Sequence, residues 1–337
     1  MATTISVCAL PLGGIAGSAA MFPDVLQKAA KVLKEAEGSL LTDSLVTHVA
    51  DWLVLVMVHG QGGASPLITA LKDAAVAAAR DTADKRRLFC RDIQPVMCGM
   101  TFVERESEPF VLFLSSAASP AFWNKTLLSQ FADPFETPSV ADGKGFVFCT
   151  EEAAMFQTPQ DLHRLIAAAK SSAIVGVAAD ADTPVASAGP GVVMIARAEY
   201  PCPTTAELCG VFARPQLLPE GILCPVSLCD GKTVAKGVIP VVALGFRSQT
   251  ENFPDRWICL TIRHLMQRGI QLENYPAIYN FFLPKTGEHK KQFFLLYCIS
   301  KNSIEVLLNL RPRHPPGSGL LLSTQDRGPR VGRPEYQ

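Results

Sequence analysis

Apolar residues recur along this chain at two spacings, one that suits strands and one that suits helices. Thr3 to Leu10 is a short continuous apolar run that reads as a buried strand, and Pro11 to Gly17, with three glycines, reads as the turn after it. Val25, Leu26, Ala29, Val32, Leu33 and Ala36 then recur at helical spacing, with Asp24 as a candidate cap and Gly38 as the stop. From Leu45 to Val58 the run is too rich in valine to prefer a helix, which predicts one long strand central to a sheet. Ser65 before Pro66 opens an alanine-rich helix from Leu67 to Arg80. Pro109 to Ser115 and Val192 to Arg197 read as further strands. Val238 to Phe246 reads as another, which Pro240 marks as an edge or bulged one. Thr158 to Asp161 opens a helix through Lys170, and Arg256 to Arg268 reads as a helix ended by Gly269.

Strands and helices alternate with no sharp break in composition, so the reading is one α/β domain over residues 1–284. Beyond Pro284 the chain turns basic, aromatic and then rich in Pro, Gly and Arg, which predicts a disordered tail over 285–337. At 337 residues and 48% apolar, the chain is long enough to bury a core without disulfide or metal staples. Lys plus Arg equal Asp plus Glu at 31 each, so no overall field draws nucleic acid or an anionic membrane. The ten cysteines form no CxxC pair, which predicts reduced, mostly buried thiols. With no secretory leader and no apolar run of membrane-spanning length, the expectation is a cytoplasmic protein with neither membrane nor nucleic-acid partners.

Six collinear blocks carry a family resemblance. ATTISV at 2–7 with IAG at 15–17 and Phe22-Pro23-Asp24, VTHVADWLVLVMVHGQG at 46–62, ERESEP at 104–109, FADPFETP at 131–138, then VVMIAR, CPVSLCDGKTVAKG and VVALGF resemble the bifunctional fructose-bisphosphate aldolase/phosphatase family. The resemblance implies a multi-layer α-β-β-α sandwich that oligomerises, binds several magnesium ions and forms a Schiff base on a lysine. A bisphosphate demands hard cations or basic side chains around it.

At the matching positions this sequence departs from the family. Pro11 and Ser18 stand where the resemblance expects a metal-binding aspartate and a histidine, and Trp52 stands beside Asp51 where a second aspartate is expected. Arg91 replaces a glutamine before Asp92, and Ser116-Ala117 replaces an Asp-Lys pair. VASAGPG at 185–191 holds no Lys, Tyr or Asp where the Schiff-base segment is expected. The glycine-rich loop that the resemblance implies between Asp92 and Thr101, and the arginine-serine-histidine loop it implies before Gly221, are both missing. The reading is a degenerate site with no metal ligands and no cofactor, because magnesium needs several oxygen ligands and a Schiff base needs a positioned amine. Lys232, the nearest lysine, lies in a predicted polar turn.

The residues left in that region are Asp51, His48 and Arg91 as candidate acid, base and polarising groups, with Trp52, Ser18, His59, Ser115 and Ser116 as candidate substrate contacts. Each also has a structural reading: histidines and Asp51 as hydrogen-bonded relics, Trp52 as core, and serines without a base partner as ordinary polar groups. Cys224 and Cys229 carry no sign of a lowered pKa. Three functional classes remain, and the sequence favours the first, a repurposed biosynthetic enzyme, because a bulky Trp52 stands where a ligand is expected. One is a repurposed, metal-independent cyclase or isomerase acting on an apolar small molecule, by cyclisation, cycloaddition of Diels-Alder type or isomerisation. The others are an inactive scaffold or regulatory paralogue, and a residual fructose-bisphosphate aldolase/phosphatase. The resemblance also implies a homo-oligomer.

Overall fold

The computed structural model describes residues 2–13, 21–103, 109–117, 119–141, 145–198, 202–203, 207–208, 216–218, 221–225 and 238–247, and a short strand at 296–297. Its elements run β1 (Ala2–Pro11), α1 (Pro23–Glu35), β2 (Asp43–Val49), β3 (Trp52–His59), α2 (Pro66–Lys85), β4 (Val96–Val103) and β5 (Pro109–Ser115). There follow α3 (Asn124–Phe131), β6 (Val147–Thr150), β7 (Met155–Gln157), α4 (Leu162–Ala168), β8 (Ile174–Asp180), β9 (Thr183–Ala188) and β10 (Val193–Arg197). The last are β11 (Gln216–Leu218), β12 (Gly221–Pro225), β13 (Val238–Arg247) and β14 (Leu296–Tyr297).

Two sheets arise from these strands. The first has the order β2-β3-β1-β4 and is antiparallel throughout. The second has the order β11-β12-β13-β5-β10-β9-β8-β6-β7, antiparallel except where β12 meets β13, with β14 pairing on β13. The near-continuous apolar runs of β1 and β3 follow from burial on both faces. On one face Ile5, Val7, Ala9, Trp52, Val54, Val56 and Val58 pack against Phe110, Leu112, Leu114, Val193, Ile195, Val242 and Leu244 of the second sheet. On the other, Cys8, Leu10, Leu53, Leu55 and Met57 pack under Val25, Ala29 and Leu33 of α1 and Ala75, Val76 and Ala79 of α2. The far side of the second sheet, with Val111, Phe113 and Met194, is covered by Trp123, Leu127, Phe131 and Leu165. The layers are therefore α-β-β-α, as the family resemblance implies. Each fully buried aliphatic or aromatic side chain contributes about 1.5–3 kcal/mol, so these three apolar layers hold the fold together without help from polar site residues.

Three local expectations are corrected. The run from Leu45 to Val58 is not one strand but a hairpin, β2 and β3, with Val49 opposite Trp52 and Ala50-Asp51 as a two-residue turn. Ala50 sits at φ 50, a left-handed conformation usually given to Gly or Asn, so no turn signal marked the break. Asp24 does not cap α1: Phe22 is the N-cap, Pro23 begins the helix, and Asp24 lies in the first turn, paired with Arg86. Finally, β13 is an interior strand. Pro240 lies opposite Cys224 of β12, one residue before pairing with β5 begins at Val241.

The strand predicted at Val192 to Arg197 appears as β10, and the helix predicted from Thr158 to Lys170 appears as the shorter α4. The predicted helix at 256–268 and nearly all of the predicted tail lie outside the described residues. Among the described residues no helix is long and apolar enough to cross a membrane. No disulfide forms among the described cysteines; Cys8, Cys98 and Cys202 are buried and Cys90 is exposed. Burial pushes the thiols of Cys8 and Cys98 up to about 11, which keeps them protonated and inert.

Candidate functional site

The β2–β3 turn places Asp51 at one end of the first sheet, where the Asp51 carbonyl also accepts from the Leu12 backbone N–H at 3.1 Å. Its side chain is only 1% exposed. Arg91, from the irregular segment after α2, donates Nε to Oδ2 and Nη2 to Oδ1, both at 2.8 Å. The same guanidinium lies 5.2 Å from the centroid of the Trp52 ring. A planar fork that bonds a carboxylate in bidentate fashion and stacks on an aromatic face uses both chemical assets of arginine at once. Burial pushes the Asp51 carboxyl above its ordinary value, and Arg91 opposes that rise both as a charge and as a hydrogen-bond donor. Trp52 is buried in the apolar cluster at the seam between the sheets, with its Nε1 unpartnered among the described residues.

Of the remaining candidates, His48, His59 and Ser115 do not join this trio. His48 faces Leu53 across the hairpin, and strand alternation puts it on the helix side of the sheet, opposite Trp52. His59 lies at the other end of β3, about 23 Å along the strand from Trp52 at the usual strand rise. There its Nδ1 accepts from the Gln61 backbone N–H at 3.2 Å, so Nε2 carries the proton and donates to Ser6 Oγ at 3.0 Å. That tautomer cannot take a proton from Ser6, and burial lowers the imidazole pKa; His59 is a neutral structural group.

Ser115 is fully buried and alternates with Leu114, so it faces the outer layer and not the inter-sheet seam. Its hydroxyl donates to the Gly191 carbonyl and accepts from the Ala117 N–H at 3.1 Å, clasping the end of β5 to the turn before β10. Ser116, next along, is half-buried. Ser18 lies outside the described residues, as do Lys232 and Cys229. The 185–191 segment finishes β9 and turns, packed so closely on β4 that a Cβ on Gly189 would meet the Cys98 Cβ at 3.0 Å.

Among the described residues, the donor set at Asp51 does not fit magnesium. A hard divalent ion of this size takes about six oxygens in octahedral order, whereas both oxygens of Asp51 already hold a cation that belongs to the chain. No group of three or more His, Cys, Asp or Glu side chains converges among the described residues. What the arrangement supplies is a neutralised ion pair under an indole. The stacking of Arg91 on Trp52 and its fork to Asp51 had no sequence signal, because the partners lie about 40 residues apart and nothing in either local pattern names the other.

Residues 2–188 match the family model described as fructose-1,6-bisphosphatase. The chain is 32% identical to the fructose-1,6-bisphosphate aldolase/phosphatase of Sulfurisphaera tokodaii, over 73% of this chain and 77% of that relative. It is 31% identical to the protein of the same name from Ignicoccus hospitalis, over 73% and 76% of the two chains. For that of Methanocaldococcus jannaschii the identity is 28%, over 72% and 75%.

Proposed function

Because this chain belongs to the fructose-1,6-bisphosphate aldolase/phosphatase family, we propose that it is a scaffold or regulatory paralogue which keeps the fold of that family without its chemistry. One observation carries the proposal: the two oxygens of Asp51 are both bound by Arg91. A carboxylate so engaged is a poor metal ligand and a poor general base, since either role requires breaking a bidentate charged pair. The clasped Ser115 and the distant, neutral His59 supply no alternative acid, base or nucleophile beside it.

The relatives' names favour a second reading, residual cleavage of fructose 1,6-bisphosphate. Purified full-length chain, incubated with that substrate and magnesium, separates the two. The expected result is no phosphate release above a heat-inactivated control and no covalent adduct after borohydride. Turnover of about 1 per second or faster, typical of an enzyme, would sink the proposal.

A third reading, a metal-independent cyclase or isomerase for an apolar molecule, rests on Trp52, whose buried N–H has no partner among the described residues, beside a partly exposed Arg91. Neither the family match nor the relatives add to it, and a thermal shift with apolar metabolites tests it. Assembly with further copies of this chain belongs to the scaffold reading. Among the described residues β4 pairs only with β1, and its Met97 and Val103 are exposed, which is how an unfinished sheet edge presents itself. Light scattering that gives a monomer mass would remove that part of the proposal.

A further inference from the structure

Between α2 and β4 the chain crosses the end of the first sheet without regular structure over residues 88–95. It is tied down at successive points. Arg86 reaches Asp24 through Nη2 and stacks over the Phe22 ring at 5.4 Å. The Phe89 carbonyl lies against Gly13, where φ is +73° and a Cβ would stand 1.4 Å from that oxygen, so no other residue at 13 admits this approach. Cys90 Sγ donates to the Leu12 carbonyl at 3.2 Å. Arg91 then closes on Asp51 and Trp52.

Each tie joins this segment to the start of α1, the end of β1 or the β2–β3 turn, so they act together to set the position of one guanidinium. The charges match one to one: a single carboxylate meets a single fixed cation. A divalent ion at the same place must displace two charged hydrogen bonds and a cation–π contact. It must also give up water for a site at which, among the described residues, Asp51 is the carboxylate on offer.

We infer that residues 86–93 are a strap that delivers Arg91 to Asp51 as a resident counter-ion, closing this carboxylate to divalent cations while the strap is seated. The inference rests on the reading that Asp51 has left the family's chemistry, and says what it does instead.

The test uses the full chain and Mn²⁺ as a spectroscopic stand-in for magnesium. Electron paramagnetic resonance titration of the unsubstituted protein and of Asp51→Asn is expected to give the same binding curve. Magnesium is expected to leave hydrogen exchange over 86–95 unchanged. Arg91→Met is expected to speed that exchange roughly tenfold or more, as a segment loses its anchor. Mn²⁺ binding weakened roughly tenfold by Asp51→Asn, or a magnesium-induced change in exchange over 86–95, overturns the inference. So does unaltered exchange in Arg91→Met; if that variant does not fold, the manganese and magnesium measurements on the native chain decide. Turnover of fructose 1,6-bisphosphate with no Asp51-dependent manganese binding would sink the proposed function and leave the strap standing. Asp51-dependent binding without turnover would do the reverse.

Discussion

Arg91 and Asp51 face each other as fork and carboxylate, Nε to Oδ2 and Nη2 to Oδ1, each at 2.8 Å, with the acid almost wholly out of water. Burial holds the Asp51 carboxyl above its ordinary value, so the folded chain keeps that proton more tightly than the unfolded one. The resulting cost is absent below the unfolded value of about 4 and grows as pH rises through the folded one. Arg91 limits this cost. Arg91→Ala is therefore expected to destabilise little near pH 4 and by about 3 kcal/mol near neutrality. Urea unfolding of both proteins at the two pH values checks this, and equal losses at each would contradict it.

The imidazole of His59 has the opposite linkage. Burial lowers its pKa, so the unfolded chain binds the proton more readily. Stability is full above the unfolded value of about 6.5 and is lost as pH falls toward the folded one. Protonation would also set an Nδ1–H against the Gln61 N–H. His59→Asn keeps an acceptor near that N–H and cannot titrate. Its melting temperature should be flatter than that of the parent between about pH 6.5 and pH 5, and a slope equal to the parent's rules out this role.

Ala50 carries a left-handed backbone, φ 50, at the tip of the hairpin that presents Asp51. A Cβ costs about 1 kcal/mol there, and glycine removes that cost. Ala50→Gly should raise stability by nearly this amount, read as a higher urea midpoint at unchanged slope. A lower midpoint would mean that the turn is held by side-chain packing instead.

Ser115 and Ser116 should separate cleanly. Ser115→Ala strips partners from the Gly191 carbonyl and the Ala117 N–H in a buried place, a loss of about 1–3 kcal/mol. Ser116→Ala should stay within about 0.5 kcal/mol. Comparable losses would show that the clasp is not what Ser115 contributes.

The layers were legible because their signals are local and repeated. The run of β1 and the spacing of Val25, Ala29 and Leu33 each state a burial pattern within a few residues of chain. The hairpin at Ala50-Asp51 was hidden because the valines of β2 lead straight into the apolar run of β3 and its turn lacks glycine. At the site, the sequence showed which residue types were present but not their company. His48, Trp52 and Ser115 looked like neighbours, and strand alternation sent them to different layers. Its residue type suits Arg91 to polarise a substrate, and the fold instead turns it inward on Asp51.

All four strands of the first sheet come from residues before 104, whereas β5, in the middle of the second, waits for β13 more than a hundred residues downstream, with Ser115 opposite Val241. As the chain leaves the ribosome, residues 2–103 can close their own ladder of strands early. β5 has β10 to pair on one side once residue 197 is made, but its other edge stays open until β13 follows about forty residues later, and that interval leaves a central strand open to wrong pairing.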